Sequence, residues 1–144
     1  MSIKYVVACD GSASSQRALE FAIDQARGNG ASVLIAHVLE WSPYSFLTPE
    51  ELEERHKRRG EELARAKTAL IDPLLAAVST DGVEVDSVVK YGHVAETLTA
   101  IATEVGAAQL FIGRTGESSL AVRMFGSVAG TLAQIAPIPC TIVP

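Results

Sequence analysis

"IKYVVACDGSASSQRALEFAIDQARGNGASVLIAHVL", Ile3 to Leu39, decides the fold. Its two ends, "IKYVVAC" (Ile3 to Cys9) and "SVLIAHVL" (Ser32 to Leu39), are short runs rich in Val and Ile and apolar nearly throughout. Unbroken apolarity marks strands covered on both faces, as in parallel sheets. Between them Ala18, Leu19, Ala22, Ile23 and Ala26 recur at spacings of one, three and four, a helix that Ser12 can cap and that Gly28 or Gly30 can end. Strand, helix and strand make a βαβ unit, the repeating piece of an α/β domain.

The same alternation continues outward. Thr48-Pro49-Glu50-Glu51 reads as a capping box, with Thr48 as the cap, Pro49 at the first helical position and Glu51 reaching back. In the charged helix that follows, Glu51 with Arg55, Glu53 with Lys57, Glu54 with Arg58 and Glu61 with Arg65 are i,i+4 pairs with the acid on the N-terminal side, the order that suits a solvated face. Arg55, Lys57, Arg58 and Arg59 are therefore read as surface charges, not as a nucleic-acid arm. Asp72-Pro73 should kink this helix or restart it with Asp72 as a new cap. Val83 to Tyr91 is a third strand, the segment from His93 to Gly106 a helix, Gln109 to Ile112 a fourth strand, Ser127 to Ala136 the last helix, and Ile138 to Val143 a fifth strand. The expectation is one doubly wound α/β domain over residues 1–144, a parallel sheet of five strands with helices on both faces.

Composition narrows the function. A chain of 144 residues with 48% hydrophobic and 20% charged residues is long enough to bury a core. Its net charge of -5 argues against a protein built to grip nucleic acid, which needs a basic surface. The apolar run at the N-terminus is too short for a signal peptide and no segment has the length of a membrane span, so a cytoplasmic protein with no membrane partner is expected. Cys9 and Cys140 form no CxxC and have no His at ligand spacing; both read as small buried apolar residues, and no metal site is expected.

The chemistry is concentrated in "ACDGS" after the first strand and "IGRTGESSLAVRMFGS" (Ile112 to Ser127) after the fourth. In doubly wound sheets, ligands bind beyond the C-terminal ends of strands where the strand order reverses. Gly113 and Gly116 can let a loop turn its amides inward as an anion nest, and Gly126-Ser127 opens a helix whose free N–H groups suit a phosphate. Neither a Walker A loop nor a G-x-G-x-x-G fingerprint is present. Asp10, taken alone, is an Asx turn or helix cap.

Across essentially the whole chain these stretches, with "AHVL" and "KYGHVAETL", resemble the universal stress proteins, specifically their ATP-binding branch. The resemblance implies strand order 3-2-1-4-5, a homodimer through the last strand, and a stress-linked nucleotide-binding regulator with a protein partner yet to be identified. It implies that Asp10 lies on the nucleoside side, that the main chain of Val38 reads the adenine edge, and that Ala8 and Ile112 wall the base. Gly113 and Gly116 would pass close to ribose and phosphates with Arg114 between them, while Gly126, Ser127 and Val128 would hold the phosphates. The implied ligand is ATP or another adenine nucleotide, with any Mg2+ bound through the phosphates. The chain departs from the family pattern at Ala8, Ala108, His93-Val94 and Glu117, the last setting a carboxylate directly after a phosphate-loop glycine. In the 3-2-1-4-5 order Cys9 and Cys140 stand two strands apart, about 9 to 10 Å, too far for an intrachain disulfide.

A switch is favoured over an enzyme, because Ser12, Ser14 and Ser15 have no His or Lys at triad-like positions and His37, His56 and His93 read as structural. The alternatives are a weak ATP-hydrolysing enzyme and a protein-interaction module with a vestigial pocket.

Overall fold

The computed structural model describes residues 2–40, 48–115 and 127–144. Five parallel strands form one sheet in the order β3-β2-β1-β4-β5. They are β1 (Lys4–Ala8), β2 (Ser32–Glu40), β3 (Val85–Gly92), β4 (Gln109–Gly113) and β5 (Cys140–Val143). The helices are α1 (Ala13–Asn29), α2 (Pro49–Ala66), α3 (Asp72–Ala77), α4 (Val94–Val105) and α5 (Ser127–Ile135), with a π-helical turn at Lys67–Ile71 joining α2 to α3. Elements fall where the apolar periodicity puts them, with ends displaced by a residue or two, the scatter inherent in where a helix or strand frays.

Period-two alternation along the central strands sends successive side chains to opposite faces and divides the core into two layers. Tyr5, Val7, Val33, Ile35 and Phe111 pack under Leu19 and Ile23 of α1, Ile71, and Leu74 of α3. Val6, Ala36, Leu110 and Ile112 pack on the other face beneath Leu98, Ile101 and Ala102 of α4 and Leu132 of α5. Tyr5 and Phe111 meet edge to face with centroids 5.2 Å apart, and Asn29 Nδ2 donates to the Tyr5 hydroxyl at 2.9 Å. Cys9 and Cys140 are free thiols belonging to opposite layers.

Ser12 and Thr48 cap their helices with their hydroxyls, as the sequence implies. Ser12 Oγ accepts from the Ser15 amide at 3.1 Å, and Thr48 Oγ1 accepts from the Glu51 amide at 3.2 Å with Pro49 in the first turn. Gly30, not Gly28, ends α1. One expectation is corrected: Asp72 does not cap a new helix. Its φ of -62° and ψ of -45° are helical, and its amide bonds the Lys67 carbonyl five residues back. Widening the helix to a π turn just before Pro73 offers a physical reason: the proline ring would crowd the carbonyl four residues earlier and offers no N–H, and an extra residue in the turn absorbs both. Of the i,i+4 pairs, Glu54 and Arg58 meet at 3.5 Å on the surface. No helix among the described residues is long and apolar enough to cross a membrane.

Candidate functional site

β1 stops at Ala8, and the chain turns through Cys9, Asp10, Gly11 and Ser12 into α1. Asp10 Oδ1 accepts the Ser12 amide at 3.0 Å, the Asx turn expected of its residue type, while Ser15 Oγ donates to the Ser12 carbonyl at 2.8 Å. Gly11 has φ of +86°, and a Cβ there would stand 3.1 Å from Leu70 Cδ1. The loop is thus closed from above by the π-helical turn.

β4 ends on the other side of the same gap. A Cβ at Gly113 would collide with the Ser14 hydroxyl and lie 2.9 Å from the Ser14 backbone, so the glycine lets the start of α1 settle on β4. Gly113 is not among the residues with positive φ. Its close approach is therefore to α1, and the Ser14 Oγ that fills the space accepts the Thr115 amide at 3.4 Å.

Between these strand ends, where the sheet order reverses, lies a cavity of about 380 Å³. Its apolar wall is Ala8, Ala36, Val38 and Ile112 from the strands, Val94 and Leu98 from α4, and Val128 and Ala129 from α5. Its polar groups come from Asp10, Ser15, His37, Glu40, Thr115 and Ser127. No lysine or arginine lines it among the described residues, so the electropositive element there is the start of α5 at Ser127 and Val128. Burial, reinforced by the Asp10 charge, pushes the Cys9 thiol up to about 12, which keeps it protonated and unreactive.

The main chain supplies the most specific feature. Cys9 N–H donates to the Ala36 carbonyl at 2.9 Å, so the polar groups of Ala36 face β1. By the same alternation those of Val38, two residues on, face the side where β1 has ended. No backbone hydrogen bond joins Val38 to Cys9 among the described residues. The Cys9 carbonyl is held instead by His37, whose Nδ1 lies 2.6 Å away; a carbonyl only accepts, so that nitrogen carries the proton. An N–H and a C=O of one residue, side by side at the mouth of an apolar slot, match a ligand edge with an acceptor next to a donor.

Of the residues expected from the sequence, Ala8, Asp10, Val38, Ile112, Gly113, Ser127 and Val128 are brought to this one wall. Arg114 is not: its side chain is exposed, and its amide is committed to the Val143 carbonyl at 2.8 Å. Gly116, Glu117 and Gly126 lie outside the described residues. The sequence reading missed Ser14, Thr115, Glu40, Val94 and Leu98, and it took His37 as merely structural. A histidine inside an otherwise apolar strand, next to the residue assigned to the base, was the available sign.

Comparison with known proteins shows the family and the fold. The universal stress protein YxiE of Bacillus subtilis is 26% identical over 97% of each chain. The solved UspA of Lactobacillus plantarum is 21% identical, with a TM-score of 0.80 over 99% of this chain and 97% of that one. A universal stress protein solved in complex with cAMP is 25% identical, with a TM-score of 0.68 over 99% of this chain and 97% of its own. The model of the universal stress protein family matches residues 1–144, and the protein belongs to that family.

Proposed function

We propose that the protein is a regulatory adenine-nucleotide-binding protein of the stress response, a nucleotide-dependent switch rather than a catalyst, with ATP as its ligand. The observation that carries this reading is the main-chain donor and acceptor of Val38, which no described residue of the β1 side occupies, at the mouth of an apolar slot; they suit the N1 acceptor and 6-amino donor of adenine. The volume of about 380 Å³ suits a nucleoside. Asp10 stands where a ribose hydroxyl can donate to it, and the amides opening α5 meet the phosphates. The relative bound to cAMP lends the reading weight. Any Mg2+ would enter with the nucleotide, held through its phosphates.

Switching rather than hydrolysis is supported by the state of the nucleophile and base candidates. The Ser15 hydroxyl is committed to the Ser12 carbonyl and the His37 Nδ1 to the Cys9 carbonyl, so these two groups are not hydrogen-bonded to one another as a nucleophile and its base. The switch works in the cytoplasm as a homodimer paired through β5, an edge strand of the sheet, and passes its state to a protein partner.

Denaturing the purified protein and identifying the released small molecule by ultraviolet spectrum and chromatography tests the reading, with titration of ATP, AMP and cAMP into the stripped protein. An adenine nucleotide bound in stoichiometric amount is expected. A protein that carries none and binds none of the three would overturn it in favour of an interaction module, and turnover well above a trace rate would favour an enzyme.

A further inference from the structure

We propose that His37 is a positioning residue that keeps the Val38 amide open for the ligand's base. The inference deepens the adenine reading above and rests on it only for the identity of the base. In a continuing parallel ladder, the rung after Cys9 N–H to the Ala36 carbonyl is Val38 N–H to the Cys9 carbonyl. That rung is absent among the described residues, and the acceptor it would use is occupied by the His37 imidazole at 2.6 Å. The ring is fixed in place, with only 9% of the residue exposed.

His37 therefore satisfies a buried carbonyl that would otherwise recruit the Val38 amide. Were the rung to form, β1 would extend by a residue against β2 and the donor at the cavity mouth would be consumed. The cavity would keep its apolar wall and lose its hydrogen-bonding edge. The His37 side chain thus sets the availability of the main-chain donor on the next residue, whose own side chain lines the cavity.

Amide hydrogen exchange, followed by NMR on the ligand-free protein, tests this without any nucleotide. The Val38 amide is expected to exchange at least 100-fold faster than that of Ala36, which lies within the paired register of β1 and β2. In His37→Leu the Cys9 carbonyl loses its donor, the rung closes, and Val38 protection rises at least tenfold while adenosine affinity falls at least tenfold. His37→Asn sets an amide donor where Nδ1 stands and should restore both. A Val38 amide already protected in the wild type, or unchanged exchange and affinity in His37→Leu, overturns the proposal. So does a His37→Asn variant no better than His37→Leu. If the wild type binds no adenosine, the exchange data still decide the role of His37 and only the adenine reading falls. If His37→Leu loses its cooperative melt, the wild-type Val38 rate together with that of His37→Asn decides: fast in both supports the proposal, protected in either refutes it.

Discussion

Gly113 on β4 and Ser14 in the first turn of α1 approach so closely that no Cβ fits between them, the backbone carbon and oxygen of Ser14 each lying 2.9 Å from where one would be. The contact fixes the distance between the two loops that frame the cavity. Gly113→Ala forces the start of α1 off the sheet, and overpacking of this kind costs about 1–3 kcal/mol. Urea denaturation should show a lower midpoint with an unchanged slope. Ser14→Gly in the same chain should recover only part of the loss, because the backbone contacts remain. An unshifted midpoint would falsify the steric account.

Asp10 has two roles that different substitutions separate. Asp10→Asn keeps an oxygen for the Ser12 amide and should leave stability within about 0.5 kcal/mol, yet weaken adenosine binding about tenfold by removing a charged acceptor, a bond of roughly 1.5–3 kcal/mol. Asp10→Ala loses the turn as well and should lower stability by about 1 kcal/mol. Calorimetric titration beside thermal melts distinguishes them; equal stability of the two variants would exclude the structural role.

Cys9 predicts a sensitivity to alkali. Burial, with the Asp10 charge adding to it, raises the thiol from 9.0 to about 12 in the fold. A group raised in the native state contributes stability that is complete below the unfolded value and is lost as pH climbs through the native one, so the loss runs from about pH 9 to about pH 12. Its slope is about 1.4 kcal/mol per pH unit. Denaturation midpoints across that window should fall faster for the wild type than for Cys9→Ala. Parallel curves would mean that the thiol does not titrate with unfolding.

β5 lends itself to a test of the dimer. Arg114 and Leu110 donate to the Val143 and Pro139 carbonyls, so the odd-numbered residues of β5 face β4 and Ile142 turns its amide to the outer edge. Ile142→Pro removes an edge donor without breaking the β4 ladder. Light scattering under reducing conditions should give a dimer for the wild type and a monomer for the variant, with the α/β circular dichroism retained. A wild type that is monomeric at all concentrations sinks the β5 pairing.

The sequence made the elements legible because their signals are local. Continuous Val/Ile runs identified β1 and β2, and Ser12 and Thr48 marked helix starts from the hydroxyl each sets three residues before the amide it accepts. The order 3-2-1-4-5 came by another route: nothing in the periodicity fixes which strands neighbour one another, and the family resemblance carried it. At Asp72 the local signal misled, since a capping residue before a proline has the same composition whether the helix restarts or widens.

What the sequence by itself determined is the run of strands and helices, the hydroxyl caps at Ser12 and Thr48, and the two glycine-bearing turns at which a ligand would be held. The tertiary structure alone decided what those turns do. His37 reaches the Cys9 carbonyl across 28 residues and the Thr115 amide reaches Ser14 across 101, so neither partner can be read from its neighbours in the chain. Gly113 has the residue type of a phosphate loop, yet its missing Cβ makes room for a helix packed from the far end of the sequence. Periodicity reports which face of an element is apolar; which atoms meet across that face depends on how closely the packed layers approach, and only the folded chain sets that distance.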